Sequence, residues 1–208
     1  MAVPTATARS RDAESEATRR SILGAAADLL ADGGARALSI REVCARAGVT
    51  PPTIYHHFGD KAALIDRVVD DCFAAFDRAF ARRAVPRDPV EALRWAFGRY
   101  VEFGVRYPAH YRVMFEGDFI RPTPGARASY DGLRRRVAAI DAVGRLRVRV
   151  EDATATFWAG VHGVTSLAIR GTLSPQSPAL ALMREAMISH LTRDTGRRPG
   201  ARTRSPHE

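Results

Sequence analysis

Between residues 39 and 61 the chain sets out side chains suited to recognising a duplex nucleic acid. Ser39-Ile40-Arg41-Glu42 pairs a serine with a glutamate three residues on, so hydroxyl and carboxylate can satisfy the first free amides of a helix. Ala47-Gly48-Val49 follows, and Gly48 admits the positive φ that a sharp corner between two helices needs. Thr50 can cap the next helix, and Pro51 suits its first turn, where the missing amide would be unbonded anyway. On that helix Pro51, Pro52, Thr53, His56 and His57 fall on the outward side, while Ile54 and Phe58, four apart, face inward. Small and polar groups at a helix tip can approach base edges in a major groove, and a proline can touch a thymine methyl without a donor. Tyr55 can reach a phosphate with its hydroxyl. Lys61, the only lysine among 32 basic residues, adds a cation where the next helix begins. A metal at His56 and His57 fails for want of a ligand set at helical spacing, Asp60 being the cap of the following helix.

The elements that must hold these groups are helices throughout. Ile22, Ala26, Leu29 and Leu30 recur at helical spacing until Gly33-Gly34 stops the run. Short helices flank Gly48, and a fourth begins at Asp60 with Leu64, Val68, Cys72, Phe76 and Phe80 four apart. Further starts are marked by Asp88-Pro89, Tyr107-Pro108, Thr123-Pro124 and Ser174-Pro175, with another near Glu151, giving an all-α chain of about nine helices. No stretch alternates with period two, and no repeat of solenoid length occurs. Residues 1–14 read as a disordered arm and 197–208, with Pro199, Gly200 and Pro206, as a disordered tail.

Composition narrows the function classes. The 208 residues are 46% hydrophobic and 26% charged, enough for a core without disulfides or a structural metal. No apolar run reaches the length of a membrane span, and the first thirty residues carry charges where a signal peptide needs none, so the cytoplasm is the expected compartment. The net charge of +9 is not concentrated on the candidate site: up to Lys61 there are eight basic and seven acidic residues. Arg134-Arg135-Arg136 and the tail arginines read as solvated faces.

Of the 16 aromatic residues, nine lie from Trp95 to Tyr130. Two readings stand side by side: a plain core, or an apolar ligand cavity lined by some of Phe103, Tyr107, Tyr111, Phe115, Tyr130, Trp158 and His162, with tyrosine hydroxyls to orient the ligand. Local arginines favour one acidic group on such a ligand. For His162 a core or interface role outweighs a ligand contact. Gly160 and Gly163 on one helix, with Leu180, Met183, Met187 and Leu191 along another, fit a dimer interface, since a reader of palindromic DNA needs a two-fold partner.

Residues Ile22 to Val69 resemble the DNA-binding domain of the tetracycline-repressor (TetR) family: Ala26-Ala27-Asp28-Leu29-Leu30, Gly33, Ser39-Ile40-Arg41-Glu42-Val43, Ala47-Gly48-Val49 and Thr53-Ile54-Tyr55-His56-His57-Phe58-Gly59-Asp60-Lys61 carry the likeness. The resemblance implies an all-helical dimer that represses transcription until a small molecule binds its larger C-terminal domain. It implies base-reading roles for Arg41, Pro51, Pro52 and His57 and phosphate roles for Ser39, Thr53, Tyr55 and Lys61. Cys44 stands where the family more often has alanine, and Pro51-Pro52 is an unusual pair. Tyr107-Pro108, Tyr111 to Phe115 and Phe157 to Gly163 further resemble a subgroup with a Trp-His-Gly C-terminal signature. The domain organisation expected is then a DNA-binding domain at 15–61 and a ligand-binding and dimerisation domain at 62–196. The partners expected are a double-stranded DNA operator, a small-molecule effector and a second copy of the chain, with no membrane, metal or other cofactor. An enzyme is disfavoured, for the sequence holds no G-x-S-x-G, H-E-x-x-H, phosphate loop or recognisable Cys-His pairing. A constitutive DNA binder with a solid aromatic core is the remaining alternative.

Overall fold

The first helix illustrates how the sequence sets the architecture. In the computed structural model, which describes residues 6–81, 84–115 and 122–193 and side chains from residue 11 onward, α1 spans Ala6–Ala37. Its apolar residues Ile22, Ala26, Leu29 and Leu30 are buried as their spacing predicts. Helical geometry breaks at Gly33 (φ −150°) and Gly34 (φ 67°), the latter in the left-handed region that favours glycine. The arm expected over residues 1–14 is corrected from Ala6 onward. Alanines and glutamates between Ala6 and Ala17 are good helix formers, and no proline or glycine interrupts them. Residues 1–5, the tail at 197–208 and Phe119 lie outside the described residues.

Among the described residues eight more helices follow: α2 (Ile40–Ala47), α3 (Pro51–Phe58), α4 (Lys61–Ala81), α5 (Pro89–Arg106), α6 (Pro108–Phe115), α7 (Pro124–Ala142), α8 (Val150–Ile169) and α9 (Pro178–Leu191). Three of the proline starts fall where expected. The start expected at Ser174-Pro175 is displaced to Ser177-Pro178, because the Ser174 hydroxyl turns the chain by engaging Gln176, while Ser177 accepts the Ala179 amide at 3.2 Å. Among the described residues no strand forms, and one antiparallel bridge joins Leu146 to Thr192.

The chain divides into two compact units. One comprises residues 1–83 and 102–131, the other 84–101 and 132–208. In the first, α1 packs on α2, α4 and α6, α4 on α6, and α3 on α2 and α4. The division expected at residue 61 therefore differs from the packing: the face of α4 formed by Leu64, Val68, Cys72, Phe73 and Phe76 is buried, and α1 and α6 are its neighbours. Burial pushes the Cys72 thiol up to about 12, with Asp71 adding to the shift. The start of α7 meets α4 where the Gly125 amide donates to Asp70 Oδ1 at 2.8 Å. A Cβ on Gly125 would stand 3.3 Å from the Asp70 Cα.

In the second unit α8 packs on α9. Asp88 caps α5, its Oδ1 accepting the Val90 and Glu91 amides at 2.9 Å while its Oδ2 takes Arg145 Nη1 at 2.5 Å. The Glu91 amide, foremost, and Arg145 hold the Asp88 carboxyl below its ordinary range.

Candidate nucleic-acid interface

The helix-turn-helix is fixed by hydrogen bonds that begin at its first cap. Ser39 Oγ accepts the Glu42 amide at 3.1 Å and donates to Glu42 Oε2 at 2.8 Å, so the glutamate binds the serine hydroxyl itself. At the other end of α2, Gly48 sits at φ 68°, and its amide and that of Val49 return to the Cys44 carbonyl. Thr50 occupies the N-cap position of α3 but does not cap with its side chain; its hydroxyl lies 3.1 Å from that of Thr53. The cap expected of Thr50 is corrected accordingly, and Thr53 is half-buried beside it. Ile54 and Val43 are fully buried, which sets the rotation of α3.

That rotation leaves Arg41, Pro51, Pro52, Tyr55, His56 and Lys61 exposed, with Ser39 and His57 half-buried. The rings of His56 and His57 meet edge to face at 5.4 Å. Asp60 Oδ1 accepts the Ala63 amide at 2.7 Å, so Lys61 stands at the capped start of α4. Two positioning residues were not apparent from local spacing. Ser21 Oγ donates to the Ala47 carbonyl at 3.3 Å, and the Arg19 guanidinium lies 5.7 Å from the centre of the Phe58 ring. Both join α1 to segments tens of residues away, a separation that no sequence period encodes.

Four of the aromatic residues gather as two pairs seated on α4. Phe103 meets Tyr107 at 5.2 Å and Phe76 at 5.1 Å; Tyr111 meets Phe115 at 4.8 Å, and Phe115 meets Phe73 at 5.6 Å. The α4 rings and His110, which touches Phe103 and Tyr107, join a set that the sequence reading confined to later residues. Burial holds the His110 imidazole below its ordinary range. Tyr111 is buried, whereas Tyr107 and Tyr130 are exposed. Trp158 and His162 belong to the second unit and stack on each other at 5.5 Å with 22° between planes.

The residues read as a dimer interface divide. Leu180 and Leu191 are buried within their own unit, which corrects their assignment to an interface: α9 is apolar on several sides, and these leucines share the inward one with Ile188. Gly160 faces Met187 of the same chain, where a Cβ would fall 2.1 Å from the sulfur. Gly163 is exposed with nothing within 4 Å, and Met183 is exposed beside Leu182, which at 70% is the most exposed large apolar residue of the chain's described part. Among the described residues no group of three or more metal ligands forms, and no helix is long and apolar enough to cross a membrane.

Comparison with known proteins accounts for this arrangement. Residues 22–68 match the family described as bacterial regulatory proteins, tetR family, and residues 93–191 match the tetracyclin repressor-like C-terminal domain. The chain belongs to the TetR family. The C-terminal match spans α5 to α9 and does not confirm the Trp-His-Gly subgroup. The HTH-type transcriptional regulator UidR of Escherichia coli K12 is 33% identical over 82 residues, 39% of each chain. The HTH-type transcriptional activator FasR of Mycolicibacterium smegmatis is 30% identical over 106 residues, 49% of this chain and 47% of that protein. The chain thus spans less than half the length of these curated relatives, all of which are named as transcriptional regulators. Among solved structures, the transcriptional regulator FadR of Bacillus subtilis, in complex with stearoyl-CoA, superposes with a TM-score of 0.68 at 14% identity over 83% of this chain and 99% of that one. At that identity the likeness speaks for the fold.

Proposed function

We propose that the protein is a cytoplasmic transcriptional repressor that reads a palindromic operator as a homodimer and leaves it when a small apolar or amphipathic molecule binds. The observation that carries the reading is the outer side of α3, where Pro51, Pro52, Tyr55 and His56 are exposed while Ile54 anchors the helix beneath them. In this reading Arg41, Pro51, Pro52 and His57 meet base edges, and Ser39, Thr53, Tyr55 and Lys61 meet phosphates, with Thr50 and His56 at the rim. Residues 15–61 are its DNA-reading part. Two such helices must lie roughly 34 Å apart to enter successive major grooves, and this requires a second copy.

The partner surface we assign to the exposed sides of α8 and α9, with Trp158, Gly163, Leu167, Leu182 and Met183, because apolar side chains left in water gain by mutual burial. The effector site we place at Phe103, Tyr107, Tyr111 and Phe115, extended by Phe73, Phe76 and His110. A ligand favouring a dimer of altered spacing weakens DNA binding by the same coupling free energy that DNA exerts on the ligand. An acyl chain with an acidic head suits apolar rings near Arg106 and Arg112, and FadR supplies a precedent within the fold.

The test is selection of DNA fragments by the purified protein from a random pool, followed by mass spectrometry of molecules that co-purify with it. Recovered palindromes, and release from them by the identified compound, are the expected outcome. Fragments that share no sequence would overturn operator reading. Sequence-specific binding unaffected by every co-purified compound would favour the constitutive binder, whose aromatic pairs are core alone.

A further inference from the structure

We propose that Arg112 couples the ring pairs of α6 to the helix-turn-helix by clasping the end of α1. The inference rests on the reading of those rings as an effector site and of α3 as the DNA-reading helix. Arg112 Nη1 donates to the Ala31 carbonyl at 3.3 Å across 81 residues of sequence. Ala31 lies two residues before Gly33, where α1 leaves helical geometry, so the guanidinium meets the C-terminal end of the long stretch of α1. Carbonyl dipoles there favour a cation.

On α6 the clasp is inseparable from the rings. Arg112 follows Tyr111 directly, and α6 is only eight residues long, with Tyr111, Val113 and Met114 all buried. A two-turn helix packed on that many sides moves as one body, so a displacement at Tyr111 or Phe115 also moves Arg112. At its far end α1 bears directly on the helix-turn-helix. Ser21 holds the Ala47 carbonyl at the corner between α2 and α3, and Arg19 covers Phe58 at the end of α3. From Ser21 to Ala31 the helix is uninterrupted, a stiff span of about 15 Å at 1.5 Å per residue. Past Ala31, Gly34 is left-handed at φ 67°, and the buried Leu38 then leads into α2. With Arg112 engaged, the last turn before the glycine pair is held against α6. With Arg112 withdrawn, that turn can fray from the glycines inward and slacken the hold on the corner.

The experiment compares amide hydrogen exchange of the full-length protein with that of Arg112→Met, which keeps the apolar stem, and Arg112→Lys, which keeps the charge. In Arg112→Met exchange should quicken about tenfold over residues 31–37 and about threefold over 44–50, with residues 178–191 unchanged and Arg112→Lys falling between parent and Met. On a fragment selected by the parent from random DNA, Arg112→Met should alter affinity roughly fivefold with no change in the slope of log K against log salt, because Arg112 meets no phosphate. Faster exchange confined to 31–37 would reduce Arg112 to a local cap and overturn the coupling, as would unchanged exchange at both segments. A salt slope smaller by one would mean a direct DNA contact and overturn it too. If the parent selects no DNA at all, the DNA reading fails by itself, and exchange over 44–50 still decides the coupling.

Discussion

Two faces of the molecule are similarly exposed and opposite in chemistry. On α3 the exposed side holds two prolines, a tyrosine and a histidine, with Lys61 beyond, while Ile54 is fully buried and Phe58 half-buried. On α8 and α9 the exposed side holds Trp158, Leu167, Leu182 and Met183, apolar groups that gain nothing from water. In the proposed reading the first meets a polyanion, reached by hydroxyl, imidazole and ammonium groups. The second is suited to another apolar surface. A helix can thus be exposed because its partner is hydrophilic or because its partner is not yet bound, and the side chains distinguish the cases.

The sharpest way to break the contrast is to place a charge on the apolar face. Leu182→Arg should weaken self-association roughly 100-fold, since an unpaired charge enclosed in an apolar interface costs several kcal/mol, and sedimentation at dilute concentration reads the change. DNA affinity should fall with it, while the thermal midpoint of the monomer stays near the parent's. A protein that remains fully dimeric would move the interface elsewhere. Comparable in size is Ile54→Ala, expected to destabilise the first unit by about 2–5 kcal/mol in denaturant titration because it empties a fully buried site. Its neighbours Tyr55→Phe and Lys61→Ala should leave stability within about 0.5 kcal/mol of the parent and weaken DNA binding without changing the preferred sequence. Lys61→Ala should lower the salt slope by about 1. A changed sequence preference with an unchanged slope would reassign both residues.

The smallest effects separate two helix caps. Ser39→Ala should cost about 1 kcal/mol at neutral pH, for the Glu42 amide loses the hydroxyl that accepts it, and that hydroxyl does not itself titrate in the accessible range. Asp88 behaves otherwise. Its folded pKa is depressed, foremost by the Glu91 amide, so its contribution is present above the unfolded value of about 4 and is lost as pH falls through the folded one. Asp88→Asn should therefore be less stable than the parent at neutral pH, the gap closing below about pH 4 in thermal melts taken across that range.

How far the sequence disclosed these features depends on the range of the interaction. The Ser39–Glu42 pair, the Gly48 corner and the proline starts at 89, 108 and 124 are contacts within a few residues, and their patterns are local. Which side of α9 turns inward is not local. Leu180, Leu182, Met183, Met187, Ile188 and Leu191 leave no polar stripe to orient that helix, and only packing assigns Leu180 and Leu191 to the core. The α4 rings went unassigned for the same reason: Phe76 reads as part of an apolar face and Phe73 falls outside its four-residue spacing, until Phe103 and Phe115 return to them. Ser174-Pro175 shows a local rule satisfied twice in five residues, with the second instance taken.

The Asp70–Gly125 bond also sets an order of events during synthesis. Its partners are 55 residues apart, and the unit that holds them is completed by residues 102–131. At ribosomal rates of about 5–20 residues per second, Asp70 waits roughly 3–11 s for the glycine that will donate to it. Within that interval, while residues 82–102 are being added, α4 has been made and Phe103 and Phe115 have not, so Phe73 and Phe76 lack the rings that later lie against them. A released fragment ending near residue 83 would therefore carry its whole helix-turn-helix beside an uncovered aromatic face, a species fitted to chaperone capture rather than to DNA.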